Sequence, residues 1–184
     1  MQDNPYSPPT AALVLPVENK PSAQAPFFAV SPLKLVLMSI FTCGLYELYW
    51  FYKNWQSIKL REKENISPFW RAVFGVFFCY SLFDEIREWQ KEHGKGEMPA
   101  GWLAAGWILL TLAYKLPGPF GLISMASVAF LIPVQKVIND INRIEAPEHD
   151  PNSKITGVNW IAMVLGGLLL ALALVGLFLP DNPG

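Results

Sequence analysis

Glu47 is the first residue whose type and place call for chemistry. It sits inside the run Phe41-Thr42-Cys43-Gly44-Leu45-Tyr46-Glu47-Leu48-Tyr49-Trp50-Phe51-Tyr52, whose other members are apolar, aromatic or small. A carboxylate among such neighbours needs a charged or hydrogen-bonding partner. Lys53 lies about 9 Å further along a helix. Arg71 reaches a similar depth if the segments flanking residues 53–66 form a hairpin. The expectation is therefore a Glu47–Arg71 ion pair that locks such a hairpin. Other candidates are thin. His93 and His149 lie in polar stretches beside Glu92, Glu148 and Asp150, and read as solvated surface rather than metal ligands. Cys43 and Cys79 are far apart, each in an apolar run, without C-x-x-C spacing. There is no phosphate loop, H-E-x-x-H or nucleophile motif. These absences point away from an enzyme and call for no cofactor and no metal.

The elements that position Glu47 come from the charge pattern. Hydrophobic residues make up 52% and charged residues only 16% of the 184-residue chain. The charges cluster between long apolar runs: residues 155–180 carry none, and residues 98–135 carry only Lys115. A helix of about 20 apolar residues crosses a hydrocarbon core of roughly 30 Å. The expected fold is all-α, an integral membrane helical bundle with four to five membrane segments at about 32–52, 67–83, 99–115, 119–136 and 158–179. Segment 67–83 holds Arg71 near its start and either spans or is re-entrant. The 84–93 stretch should continue it as a charged helix, with Asp84–Arg87 and Glu88–Lys91 at i,i+3 spacing, until Gly94 and Gly96 stop it. Leu116-Pro117-Gly118-Pro119 makes the third and fourth segments a hairpin. Apolar positions at 134, 137, 138, 141 and 144 carry the fourth onward as an amphipathic helix. Seven prolines among residues 1–32 predict a disordered tail over 1–31, with no cleavable signal peptide.

Inside a membrane segment an ionised Glu47 costs roughly 2.5–3.5 kcal/mol at the helix centre, so it should face protein. Tyr49, Trp50, Trp55, Trp70, Trp102 and Trp160 read as membrane-interface aromatics. Small residues recur at four-residue spacing (Ala100 and Ala104, Gly101 and Ala105, Ala162 and Gly166, Gly167 and Ala171), which suits close packing within the bundle. The basic cluster Lys53, Lys59, Arg61, Lys63 puts the first linker in the cytoplasm. A re-entrant second segment would bring the 84–98 and 136–157 loops to the same side. The net charge of −1, without a basic stripe, excludes a nucleic-acid partner.

The run Gly44-Leu45-Tyr46-Glu47-Leu48-Tyr49-Trp50-Phe51-Tyr52-Lys53 resembles the Gly-x-Tyr-x-x-Tyr-Trp motif of a family of small bacterial multi-pass membrane proteins of unknown function. The Asn139–Asn142 stretch and Gly166-Gly167 fit that family's C-terminal half in a general way. Asn4-Pro5-Tyr6-Ser7-Pro8-Pro9, followed by Ala11 and Ala12, is similar to a short tag found ahead of several bacterial membrane domains. The resemblance implies a location in the bacterial inner membrane and brings no activity, catalytic residue or ligand.

Two functional expectations follow. One is a non-enzymatic membrane protein acting by interaction, with the lipid bilayer around it and a protein partner taken through the Pro-rich tail or a helix face. The other is a small transporter or channel component with Glu47 on its path.

Overall fold

A computed structural model describes residues 24–178. Among them are seven α-helices: α1 (Pro32–Phe41), α2 (Leu45–Glu62), α3 (Pro68–Val73), α4 (Gly75–Glu92), α5 (Ala100–Leu112), α6 (Val128–Glu145) and α7 (Gly157–Phe178). Two 3₁₀ stretches, Ala113–Lys115 and Gly118–Ser127, join α5 to α6. The described chain contains no strand.

The segment expected as one helix over 32–52 is two helices. Ser31 caps α1, its hydroxyl accepting from Lys34 N at 3.2 Å, and Pro32 occupies the first turn, where its missing N–H is harmless. Ten residues later the chain leaves the helix at Thr42-Cys43-Gly44. Gly44 N donates to Ser39 O at 2.8 Å, Cys43 and Gly44 take φ of 51° and 85°, and the Thr42 hydroxyl accepts from Tyr46 N at 3.0 Å to begin α2. A glycine in the left-handed region past the last turn ends a helix without a Cβ penalty. The two halves then fold back on each other. Phe28 N, just before α1, donates to Asn54 Oδ1 at 3.1 Å, whereas a straight helix over 32–52 would hold its ends about 30 Å apart.

The same return is made twice more. Phe74 (φ −92°, ψ 34°) separates α3 from α4. Arg71 of α3 lies over the Trp55 ring of α2, while Glu85, further along α4, meets Arg61 at 3.0 Å. The third hairpin is the expected one through Pro117-Gly118. Met98 N, before α5, donates to Gln90 Oε1 at 2.8 Å, and His93 Nε2 meets Glu145 Oε1 at the end of α6 at 2.5 Å. Three helical hairpins thus stand on one charged face, with their apolar tips away from it. The expected Asp84–Arg87 and Glu88–Lys91 pairs both form, and α4 stops before Gly94 and Gly96, each with positive φ.

The broken segments change the count of spans. Among the described residues two helical stretches, not four to five, are long and apolar enough to cross a membrane: Gly118–Glu145 and Gly157–Gly176. The first counts the 3₁₀ lead-in and the turns that carry Lys136, Asp140, Arg143 and Glu145. The second lies in α7 and is 20 residues, almost all apolar and most of them exposed.

The chain before α1 is not a free tail throughout. Residues 1–23 lie outside the described residues, but from Gln24 on the chain, bent at Pro26 and Phe27, runs between α2 and α6. Its peptide groups are held by side chains rather than by a strand. Pro26 O accepts from Arg61 at 3.0 Å, Phe28 O from Gln135 at 3.2 Å, Ala29 O from Asn152 at 3.0 Å and Val30 O from Asn139 at 2.9 Å. Phe27 and Val30 are fully buried. Backbone outside helix and strand must satisfy its donors and acceptors somewhere, and here side chains of α2, α6 and the loop residue Asn152 do it. Gln135, Asn139 and Asn142 stand at i, i+4 and i+7 on one face of α6, opposite Asn54 of α2.

The core lies under this clasp. Trp50, Phe51 and Phe83 are fully buried and mutually in ring contact, each such pair adding about 0.5–1.5 kcal/mol beyond area burial. Trp50 Nε1 donates to Gln135 at 2.5 Å, and Trp55 is buried as well. Both were expected at a membrane interface; both are core residues instead, because α2 is enclosed by α3, α4 and α6. Tyr49, Trp70, Trp102 and Trp160 are exposed. The small residues seat neighbours within the chain. A Cβ on Gly166 would lie 2.0 Å from Phe41 O, and one on Gly106 would meet the Phe130 ring at 2.1 Å.

Candidate functional site

The three hairpin tips converge on a cavity of about 280 Å³. Cys43 and Gly44 come from the first tip, Val73 and Gly75 from the second, Thr111, Tyr114 and Ser127 from the third. Each tip is a place where a helix stops, so the cavity owes its existence to the three breaks. A continuous helix over 32–52 would fill it with its own next turn.

Glu47 lies on the wall of this cavity, in the first turn of α2, and is only 4% exposed. Its Oε2 accepts from Trp107 Nε1 at 2.7 Å, and the Ser127 hydroxyl lies 3.0 and 3.1 Å from its two oxygens. The start of a helix favours negative charge. Those contacts hold the carboxylate still, yet they are neutral. No lysine, arginine or histidine among the described residues forms a salt bridge with it.

The expected ion pair with Arg71 is therefore absent. Arg71 stacks on Trp55, its guanidinium carbon 4.3 Å from the ring centroid, with Phe78 at 5.5 Å. The reason is the break at Phe74: it keeps α3 beside the middle of α2 and leaves the tip to Val73 and Gly75. The groups that do hold Glu47, Trp107 and Ser127, stand 60 and 80 positions away. The sequence carried one signal for them, a serine and an indole N–H inside otherwise apolar runs, each needing a partner if buried.

Two further groups line the cavity. Thr111 Oγ1 is buried without a hydrogen-bond partner, and Ser124 Oγ donates to Gly121 O at 2.7 Å, leaving its lone pairs free. Cys43 is exposed at the rim, whereas Cys79 is buried. The described residues contain no group of three or more His, Cys, Asp or Glu placed to hold a metal ion. His93 and His149 do not come together: His93 pairs with Glu145, and His149 Nδ1 contacts Ala146 O at 2.6 Å.

No family model, curated protein or solved structure matches the chain.

Proposed function

We propose that this is a non-enzymatic, membrane-embedded binding protein of the bacterial inner membrane, with the cavity at Glu47 as its ligand seat. The observation that carries the reading is a buried, rigidly held carboxylate without a cationic partner, facing a cavity rather than packed protein. Buried ionisable groups in apolar surroundings are costly and concentrate at functional sites. No group of three or more metal-ligating side chains accompanies it among the described residues, and we read the site as one for binding.

In the bilayer the three hairpins dip from the charged face and α7 crosses. α5, with 13 residues, reaches about 20 Å, short of the roughly 30 Å core. α7, with 22 residues, reaches about 33 Å. Lys115 is the one basic residue at a hairpin tip among the described residues, and the charged face holds the linkers rich in lysine and arginine, which makes that face cytoplasmic. Cysteines placed at Lys63, Lys95 and Ser153 should all react with an impermeant maleimide from the cytoplasmic side. Reaction of any one from the opposite side would refute this arrangement.

The transport reading is less well supported. Between Glu47 and the charged face stand Phe51, Trp50 and Phe83, fully buried and in mutual contact, so no polar path continues. The binding reading is tested by native mass spectrometry of the protein in lipid nanodiscs, together with thermal shifts against a panel of small amines, alcohols and acids. Wild type should bind a panel member, and Thr111→Trp, which fills the cavity, should not. Absence of any adduct or shift in wild type would overturn the reading.

A further inference from the structure

We infer that the cavity takes a primary ammonium group, R–NH₃⁺ with a short apolar R. The inference rests on the binding reading above and names its ligand class. Charge comes first. A carboxylate presents about four acceptor sites, and here two neutral donors, the Trp107 indole and the Ser127 hydroxyl, serve it. An uncompensated buried charge is the one feature a cation corrects and a neutral or anionic ligand worsens.

Hydrogen-bond count then selects the kind of cation. An –NH₃⁺ group has three donors and no acceptor. The cavity wall offers three acceptor sites: about two left unserved on Glu47, and one on Ser124, whose own proton is committed to Gly121 O. Hard metal cations fit poorly, since Ca²⁺ takes six to eight oxygen ligands and Mg²⁺ demands an octahedron, while one carboxylate and one hydroxyl supply too few. A quaternary ammonium lacks the N–H donors those acceptors need. The remaining wall is aromatic and aliphatic, with Trp107, Tyr114, Leu48 and Val76. Aromatic faces attract cations within about 6 Å, and the aliphatic part accommodates the carbon chain. The ammonium group can belong to a free amine or to an aminoethyl lipid headgroup; the chemistry at Glu47 is the same.

Cys43, exposed at the rim of the same cavity, is a native reporter, and buried Cys79 is its internal control. The experiment measures the rate of maleimide labelling of Cys43 in the full chain, reconstituted in phosphatidylglycerol vesicles. Butylammonium should slow labelling in a saturable way. 1-Butanol and tetramethylammonium should need at least tenfold higher concentration for the same effect, and Glu47→Gln should raise the half-protecting concentration of butylammonium at least tenfold. Ser124→Ala, which keeps the carboxylate, should raise it several-fold, so the inference stays testable if Glu47→Gln fails to fold. Protection in vesicles containing phosphatidylethanolamine, without added amine, supports the inference with a lipid source. Protection by soluble amine alone supports it with a free one. Equal protection by 1-butanol, or an unchanged butylammonium response in both variants, overturns the ammonium assignment while leaving a binding cavity. No protection by any compound, with no thermal shift, overturns both.

Discussion

Asn142 holds both backbone polar atoms of Phe27: its Oδ1 accepts from Phe27 N at 3.1 Å, and its Nδ2 donates to Phe27 O at 2.9 Å. One fully buried side chain thus does for a segment outside helix and strand what a neighbouring strand would do in a sheet. Replacing it with leucine leaves a buried N–H and a buried C=O without partners, each costing about 1–3 kcal/mol. Asn142→Leu should lower the melting temperature and raise hydrogen exchange at the amides of residues 27–30. Unchanged exchange there would show that the amide does not hold the segment.

Glu47 and Trp107 should be energetically coupled, and Glu47 and Arg71 should not. In a double-mutant cycle, Glu47→Gln with Trp107→Phe is expected to show an interaction energy of about 0.5–3 kcal/mol, as for residues in one hydrogen-bond network. Glu47→Gln with Arg71→Gln should add within about 0.5 kcal/mol. A large coupling to Arg71 would restore the ion pair that the sequence alone suggests.

Gly166 and Gly176 lie on the same helix and should respond oppositely to alanine. A Cβ at Gly166 would sit 2.0 Å from the Phe41 carbonyl oxygen, which is backbone and cannot swing aside, whereas Gly176 has open space. Gly166→Ala should destabilise the α1–α7 contact by more than about 1 kcal/mol, the range for overpacking. Gly176→Ala should be neutral or slightly stabilising through helix propensity. Thermal unfolding in nanodiscs measures both.

His93 supplies a pH dependence with a definite sign. The 2.5 Å contact with Glu145 raises its pKa above the ordinary histidine value, helped by the Trp89 carbonyl. A raised folded-state pKa means the stabilisation is fully present below the unfolded value, about 6.5, and is lost as pH rises through the folded value. Stability should therefore decline between neutral and mildly alkaline pH, and His93→Gln should flatten that decline. An identical slope in the variant would rule out this pair as its source.

Composition and periodicity made the helical class, the charged extension of α4, the Pro117-Gly118 reversal, the amphipathic run past Lys136 and α7 legible. Each of these is a local pattern. The hairpin inside 32–52 was less legible because Thr42-Cys43-Gly44 contains no proline, and a lone glycine in an apolar run reads as a tolerated helix residue. Trp50 and Trp55 were misplaced for a related reason: an aromatic residue beside a lysine suits an interface and a core equally until the partner helix is known. Glu47 was recognisable as exceptional by type alone, but its partners come from two distant helices and left only the weak sign of polar atoms in apolar runs. The stripe Gln135, Asn139 and Asn142 had the helical spacing of a polar face. Nothing local said that it would hold backbone rather than meet water.

The clasp also orders events in time. The segment at Phe27 is synthesised 115 positions before Asn142 and its Ala29 carbonyl 123 positions before Asn152, an interval on the order of ten seconds at typical elongation rates. Until the second half of α6 emerges there is no seat, so the first described part of the chain to be made is among the last to be housed. Such long-range closure is slow because loop entropy must be met before any contact forms. A nascent chain stalled before residue 142 carries Phe27 and Val30 uncovered, and its N-terminal stretch stays open to chaperones and proteases until translation completes the lock.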